Sequence, residues 1–241
     1  MVLRRLPLAC ILVLCCILPT SGQADCGIPV HDGLWGLELG ISGLSGSTNM
    51  LGVAVKHHVG NRSAIRAGFS GIVNSSDMDD TMKEEYITSD TTVSVPNSQV
   101  DGSTDRRDVT VFAHWVQYHG LDEHFGMTLE AGPSVHWYST EYSEQFAYPG
   151  SPDQNYLYQE DGNLWEYGLD LQMGFEWFFT EHVSLGARYG IAALRTDESR
   201  TRTNFSSSIY DGIMRHDYSE IHSDGFVVRT ILPSVSLTAS W

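Results

Sequence analysis

Acidic side chains, the groups best suited to hold a cation, concentrate in two stretches of this 241-residue chain. Residues 75–108 hold nine acids against three bases, and residues 140–164 hold five acids and no base. Carboxylate oxygens suit divalent cations, but the spacing of Asp77, Asp79 and Asp80 is too irregular for an EF-hand loop. We interpret both stretches as solvated loops, and we predict no metal site and no cofactor.

Histidines are the second candidate for metal chemistry. His114 and His136 fall on the same face of two neighbouring segments that are predicted to pair as a hairpin. If paired residue numbers sum to about 244, His114 lies opposite Glu130 and His136 lies opposite Asp108. We interpret these as cross-strand hydrogen-bonded pairs rather than zinc ligands.

Residues 1–24 are predicted to form a secretory signal peptide. Arg4 and Arg5 precede an apolar stretch of 13 residues, and a small-residue cleavage site follows at 22–24. The stretch is shorter than the ~20 apolar residues that span a bilayer as a helix. Of four cysteines, Cys26 alone remains in the mature chain, which excludes an intramolecular disulfide.

The mature chain, residues 25–241, is strongly acidic. It holds 12 basic and 30 acidic residues, a formal net charge of −18, because the signal peptide takes two arginines and no acid. Such a surface repels nucleic acid, so we predict no nucleic-acid partner. No linker or change in composition divides the chain, and one domain is expected.

Eight segments alternate apolar residues with small or polar ones, the pattern of β-strands with two different faces. They are about 10–16 residues long, whereas strands of soluble sandwiches average ~5–6, and ~9–11 tilted residues cross a bilayer. The pattern predicts an all-β fold: a closed, antiparallel, up-and-down transmembrane barrel of eight strands. The segments centre on residues 35–41, 51–55, 65–73, 109–115, 125–137, 165–179, 183–191 and 231–241.

The second face of these segments is rich in Gly and Ser and carries isolated charges of both signs. An eight-stranded barrel is just wide enough inside for side chains, so opposite charges can pair across the lumen. We predict a lumen charge network and no catalytic residue. Its members are Glu38, Lys56, Arg66, Glu130, Asp170, Glu176 and Arg188.

Three residues interrupt the pattern. Pro133 and Pro233 lack an amide donor inside predicted strands, so we place them at bulges or strand ends. Arg229 falls on the lipid-facing register near the outer end of the last strand, where it would extend toward headgroup phosphates.

Short links at 59–62, 119–124 and 180–182 are typical of periplasmic turns, and another short link is expected at 44–48. Long outer loops are predicted at about 74–105, 139–163 and 196–225. The last strand ends on an aromatic residue, as expected of a strand that closes the sheet and is recognised by the barrel-assembly machinery. This closing signal comprises Val235, Leu237, Ala239 and Trp241.

The segment from Phe178 to Tyr189, FFTEHVSLGARY, is similar to the turn-and-strand signature of the small porin-like outer-membrane β-barrel family. The resemblance implies an eight-stranded barrel in the bacterial outer membrane, in contact with its lipids and lipopolysaccharide.

We expect a non-enzymatic surface scaffold, adhesion or envelope-structural protein that acts through three long acidic loops on an extracellular ligand. A small porin-like pore is one alternative. An omptin-like protease is another, since Asp77, Asp79 and Asp80 could join His216 and Asp217, although the His-Asp order and the strand number differ from omptins. A lipid A-modifying barrel would need Ser139 to work with His136.

Overall fold

The computed structural model describes residues 31–42, 50–60, 62–82, 85–88, 91–94, 98–147, 155–207 and 214–241. The predicted signal peptide, Cys26 and the link at 44–48 lie outside these residues. Within the described ranges, no helix is long and apolar enough to cross a membrane.

Eight antiparallel strands form a closed barrel in the order β1-β10-β9-β8-β7-β6-β3-β2, and a separate hairpin pairs β4 with β5. The predicted eight-stranded up-and-down fold is therefore confirmed. The strands are β1 Trp35–Ser42, β2 Met50–His58, β3 Ser63–Met82, β4 Glu85–Thr88, β5 Thr91–Ser94, β6 Ser98–Gly120, β7 Phe125–Ala147, β8 Asn155–Thr180, β9 Val183–Ser207 and β10 Met214–Ser240.

Alternate side chains of each strand face opposite sides of the barrel wall. In β8, Phe175 and Trp177 are 47% and 49% exposed, whereas Glu176 between them is 2% exposed. The apolar residues therefore cover the outside and the charged residues fill the inside, which is the reverse of a soluble protein and matches the architecture of a transmembrane barrel.

Close strand approach explains two of the inward-facing glycines. A Cβ on Gly132 would collide with the carbonyl oxygen of Ala113, and a Cβ on Gly168 would collide with that of Ala193. Only glycine lets the neighbouring backbones come this near.

A β-bulge at Pro233 reverses which side chains face the lumen in the outer half of β10. Ile231 pairs with Gly190 and Ser234 pairs with Arg188, so two residues of β10 lie opposite Tyr189 alone. The predicted bulge is present, but the predicted orientation of Arg229 is wrong. The extra residue shifts the alternation by one, and Arg229 points into the barrel instead of toward lipid.

Pro133 is not at a bulge. The β6–β7 ladder keeps one register on both sides of it, from Phe112–Ser134 to Trp115–Ala131. The prediction for this proline is therefore wrong: it lies inside β7, paired with Leu169 of β8.

The three predicted long loops are mostly paired strand. The β3–β6 ladder continues to Met82 and Ser98, and the β9–β10 ladder begins at Ser207 and Met214. Both faces of these stretches are polar, so their sequences lack the alternation that indicates a strand. Short turns join β2 to β3, β6 to β7 and β8 to β9 at the opposite end, as predicted from the short links at 59–62, 119–124 and 180–182.

We call the extension of six strands beyond the apolar belt the wall. It comprises residues 74–82 of β3, 98–108 of β6, 138–147 of β7, 155–164 of β8, 196–207 of β9 and 214–225 of β10. β1 ends at Ser42, opposite Ser234, and β2 begins at Met50. Within the described residues, the wall is thus a six-stranded curved sheet that continues the barrel, with β3 and β10 at its two edges. Its concave face continues the lumen.

Candidate functional site

The lumen contains a cluster of buried ion pairs centred on Glu38. Its carboxylate accepts hydrogen bonds from Arg66 Nη2 at 2.6 Å and from Arg188 Nη1 and Nη2 at 2.9 Å each. Glu130 accepts from Arg188 Nε and, at 3.4 Å, from Arg66 Nη1. The four side chains, from β1, β3, β7 and β9, therefore connect opposite sides of the barrel.

A second group lies nearer the short turns. Lys56 donates to both carboxylate oxygens of Glu176 at 2.9 Å and lies 3.9 Å from Glu38. Tyr118 and Ser184 donate hydroxyl hydrogen bonds to Glu176 at 3.1 and 2.6 Å. Because Lys56 approaches both carboxylates, it links this group to the first one.

Asp170, the seventh predicted residue, lies outside both groups. It accepts a hydrogen bond from Ser134 at 2.7 Å, and its Oδ2 lies 3.3 Å from His114 Nε2. His114 Nδ1 lies 3.7 Å from Glu130 Oε2, so the imidazole connects Asp170 to the main cluster.

The predicted histidine register is wrong by two residues. In the β6–β7 ladder, Glu130 pairs with Val116 instead of His114, and His136 pairs with Thr110 instead of Asp108. His114 nevertheless approaches Glu130, and His136 Nδ1 lies 3.5 Å from Asp108, because a shift of two keeps every side chain on the same face.

A cavity of about 330 Å³ occupies the outer half of the lumen, and Glu38 and Arg66 form its floor. Arg229, redirected by the bulge, lies at this cavity and places its Nη1 2.6 Å from Glu166 Oε2. Sequence alternation alone assigns Arg229 to lipid, and Pro233 is the one residue in the sequence that warns of the change.

Tyrosine and arginine side chains lie together on the concave face of the wall, where the sequence pattern does not indicate a site. Glu160 of β8 is the centre of this group: it accepts hydrogen bonds from Tyr158 and from Arg202 Nη2 at 3.1 Å, and Arg200 Nη1 lies 3.1 Å away. The hydrogen bond from Tyr158 lowers the pKa of Glu160, partly opposed by desolvation. Desolvation, followed by that hydrogen bond, raises the pKa of Tyr158.

Further rings extend the group across the sheet. Tyr142 of β7 meets Tyr158 edge to face, with ring centroids 5.7 Å apart, and Arg106 of β6 lies 5.0 Å from the centroid of Tyr138. The spacing of Tyr138 and Tyr142, and of Tyr156 and Tyr158, has the period of two that could have revealed this face in the sequence.

A smaller cavity of about 220 Å³ lies above Gly162, in the middle of the concave face. A Cβ on Gly162 would find its nearest neighbour, the carbonyl oxygen of Thr140, 4.0 Å away. Close packing does not require this glycine, and the space arises where a side chain is missing. The cavity is lined by Tyr138, Thr140, Glu160, Asn163, Glu198 and Arg200, together with Leu164 and Gly162 itself.

The candidate enzymatic residues are not brought together. Asp77 lies on β3 and His216 on β10, the two opposite edges of the wall. His136 faces the lumen, whereas Ser139, three residues along the same strand, lies on the opposite face. Within the described ranges, no group of three His, Cys, Asp or Glu residues is placed to hold a metal ion.

No family model and no curated protein matches this sequence. Among solved structures, the chain is similar to a major outer membrane protein from Thermus thermophilus, with 12% identity and a TM-score of 0.42 over 88% of this chain and 100% of that one. It is also similar to CarO of Acinetobacter baumannii, with 10% identity and a TM-score of 0.37 over 87% of this chain and 98% of that one. The strand order of this chain defines its fold independently: an eight-stranded barrel with a charged interior and an apolar exterior.

Proposed function

We propose that this outer-membrane β-barrel is a non-enzymatic surface scaffold, and that its wall carries the recognition role. One observation carries the proposal. The lumen is filled by paired charges at the level of Glu38, while six of the eight strands continue as sheet well beyond the membrane belt. The additional strand length thus forms an exposed structure outside the membrane and not a passage through it.

The apolar belt has the dimensions of a bilayer. Trp165 and Trp177 lie on the outward face of β8, twelve residues apart, with Trp137 beside the first and Phe179 beside the second. At ~3.3 Å per residue and a tilt of ~40°, this separation spans ~30 Å, the thickness of a hydrocarbon core. The aromatic residues fit the two interfacial girdles, and outer-membrane lipids and lipopolysaccharide are the proposed partners.

The closing strand supports assembly at the β1–β10 junction. Leu237 pairs with Leu39 and Ala239 pairs with Leu37, so the apolar residues of the predicted closing signal lie on the lipid-facing side of the junction. We infer that the barrel-assembly machinery engages this strand before β1 replaces it. Val235 and Trp241 complete the signal.

A porin-like pore is the second candidate function. The cavity in the outer half of the lumen favours it, but the cavity ends on Glu38 and Arg66. An eight-stranded interior filled by side chains leaves no aqueous channel for solutes.

The test compares the full mature chain with a variant in which residues 74–106, 140–162 and 198–223 are replaced by short turns. Both should insert into bilayers and migrate differently in detergent gels before and after boiling, and neither should conduct ions steadily. Binding of the protein to an extracellular ligand should be lost in the shortened variant alone. Stable single-channel currents from the mature chain would establish the pore instead, and peptide hydrolysis lost in His216→Ala would establish the protease.

A further inference from the structure

We propose that the concave face of the wall binds a neutral oligosaccharide, with one sugar ring in the cavity above Gly162. This inference rests on the proposed function and names its ligand class. It stands on three features: the aromatic residues of this face, its charge balance, and the shape of the cavity.

The two faces of the wall differ in chemistry. Among the described side chains of β6 to β9 in the wall, all four tyrosines lie on the concave face. The convex face of the same strands carries mainly Ser, Thr, Gln, Asn and Asp, as at Gln159, Asp161 and Thr203. Tyrosine offers an apolar ring together with a hydroxyl, the combination that contacts both the C–H face and the hydroxyl groups of a sugar.

The charges of the concave face are nearly balanced. On β6 to β9, three arginines stand against three glutamates and Asp108 there, and Arg106 lies 3.5 Å from Asp108. The described convex face holds five acids and one arginine. Arg200 contacts Glu160 and, at 2.8 Å, Glu198. Such paired groups present donors and acceptors with little net charge, which suits hydroxyl groups better than a phosphate or an ammonium.

The strands below this face leave only side chains for recognition. β7, β8 and β9 are central strands whose backbone groups pair with neighbours on both sides. An extended peptide that adds to a sheet needs a free strand edge, which this region lacks along its described length. The ligand class is therefore set by the rings and the paired polar groups.

The cavity has the size and position for one ring of a chain. Its 220 Å³ is below the ~300 Å³ at which pockets for compact drug-sized ligands begin. It has Tyr138 and Thr140 of β7 on one side and Glu198 and Arg200 of β9 on the other. Tyr142 and Tyr158 continue the surface beyond it, where further sugar units can lie.

The experiment measures binding of maltohexaose, cellohexaose and chitohexaose by calorimetry to the full mature chain, refolded in a zwitterionic detergent that has no sugar headgroup. We expect saturable binding of at least one of them. Gly162→Val adds a side chain to open space, so it should fill the cavity without destabilising the strand, and binding should be lost. Tyr138→Ala should weaken binding about tenfold.

Asp161→Val is the matched control, because it places the same side chain on the convex face one residue away. Its affinity should stay within about twofold of the parent. The inference is overturned if none of the three sugars binds saturably, if Gly162→Val binds as well as the parent, or if an acidic polysaccharide binds instead with strong salt dependence. Retained heat-modifiable migration in every variant would show that the barrel is folded, so that loss of sugar binding overturns this inference alone. The scaffold function is tested separately, by surface binding of the mature chain and of the variant with the shortened wall.

Discussion

Removing Arg188 should destabilise the barrel more than removing any exposed charge. Its guanidinium is 2% exposed and donates to Glu38, Glu130 and Ser236. Breaking a buried ion pair by truncating one partner costs ~3–5 kcal/mol, because the other charge stays buried without compensation. Here Arg66 still contacts both carboxylates, so we expect the lower end of that range, about 3 kcal/mol.

The assay is equilibrium unfolding in urea of the barrel folded into short-chain phosphatidylcholine vesicles, followed by tryptophan fluorescence and by heat-modifiable migration. Arg188→Met is compared with Asp161→Asn, an exposed charge of the wall that should change the free energy of unfolding by less than ~0.5 kcal/mol. Adding Glu130→Gln to Arg188→Met removes one uncompensated charge and should recover part of the loss. Equal, small effects of Arg188→Met and Asp161→Asn would refute the reasoning, since they would mean that water reaches the lumen charges.

Three further predictions concern other parts of the molecule. Amino-terminal sequencing of the exported protein should begin at Asp25, and a retained segment 1–23 would contradict the signal peptide. In a Cys26→Ser background, Arg229→Cys should react with a water-soluble maleimide, whereas Val228→Cys should be protected by lipid; the opposite pattern would place the bulge elsewhere. Because the pKa of Glu160 is lowered from 4.5, its ionised interactions with Tyr158 and Arg202 are fully present above that value and lost as pH falls below it. Sugar affinity should therefore hold between pH 7 and pH 5 and decline below about 4.5, and Glu160→Gln should flatten this dependence.

The membrane part of the fold could be predicted from sequence because burial reverses there with a strict period of two. Trp177 beside Glu176, or Leu37 beside Glu38, indicates at once which side meets lipid and which meets the lumen. Alternation also places the seven lumen charges on one face. It does not set the register more finely than two residues, which is why Glu130 pairs with Val116 instead of His114.

The alternation of apolar and polar residues does not predict two features: the orientation of side chains beyond a bulge, and the chemistry of the two faces of the wall. A bulge inserts one residue and reverses the parity of everything outside it, so the pattern assigns Arg229 to the wrong side although it correctly predicts the bulge at Pro233. The wall gives no contrast between its faces in hydropathy, because both are solvated. Its contrast is between Tyr158 and Gln159, a difference in ring chemistry that a polar-versus-apolar pattern does not detect.

The unequal length of the strands makes the barrel's resistance to opening uneven. The β1–β10 ladder extends only from Gly36–Ser240 to Ser42–Ser234. The β9–β10 ladder is much longer and extends from Ser207–Met214 to Val183–Ala239. Amide exchange should therefore be fastest in β1 and β2 and slowest in the middle of β7, β8 and β9, because the long ladders must separate cooperatively. The six long strands therefore form the more stable part of the barrel. The barrel opens first at β1 and β2, the two short strands that close it.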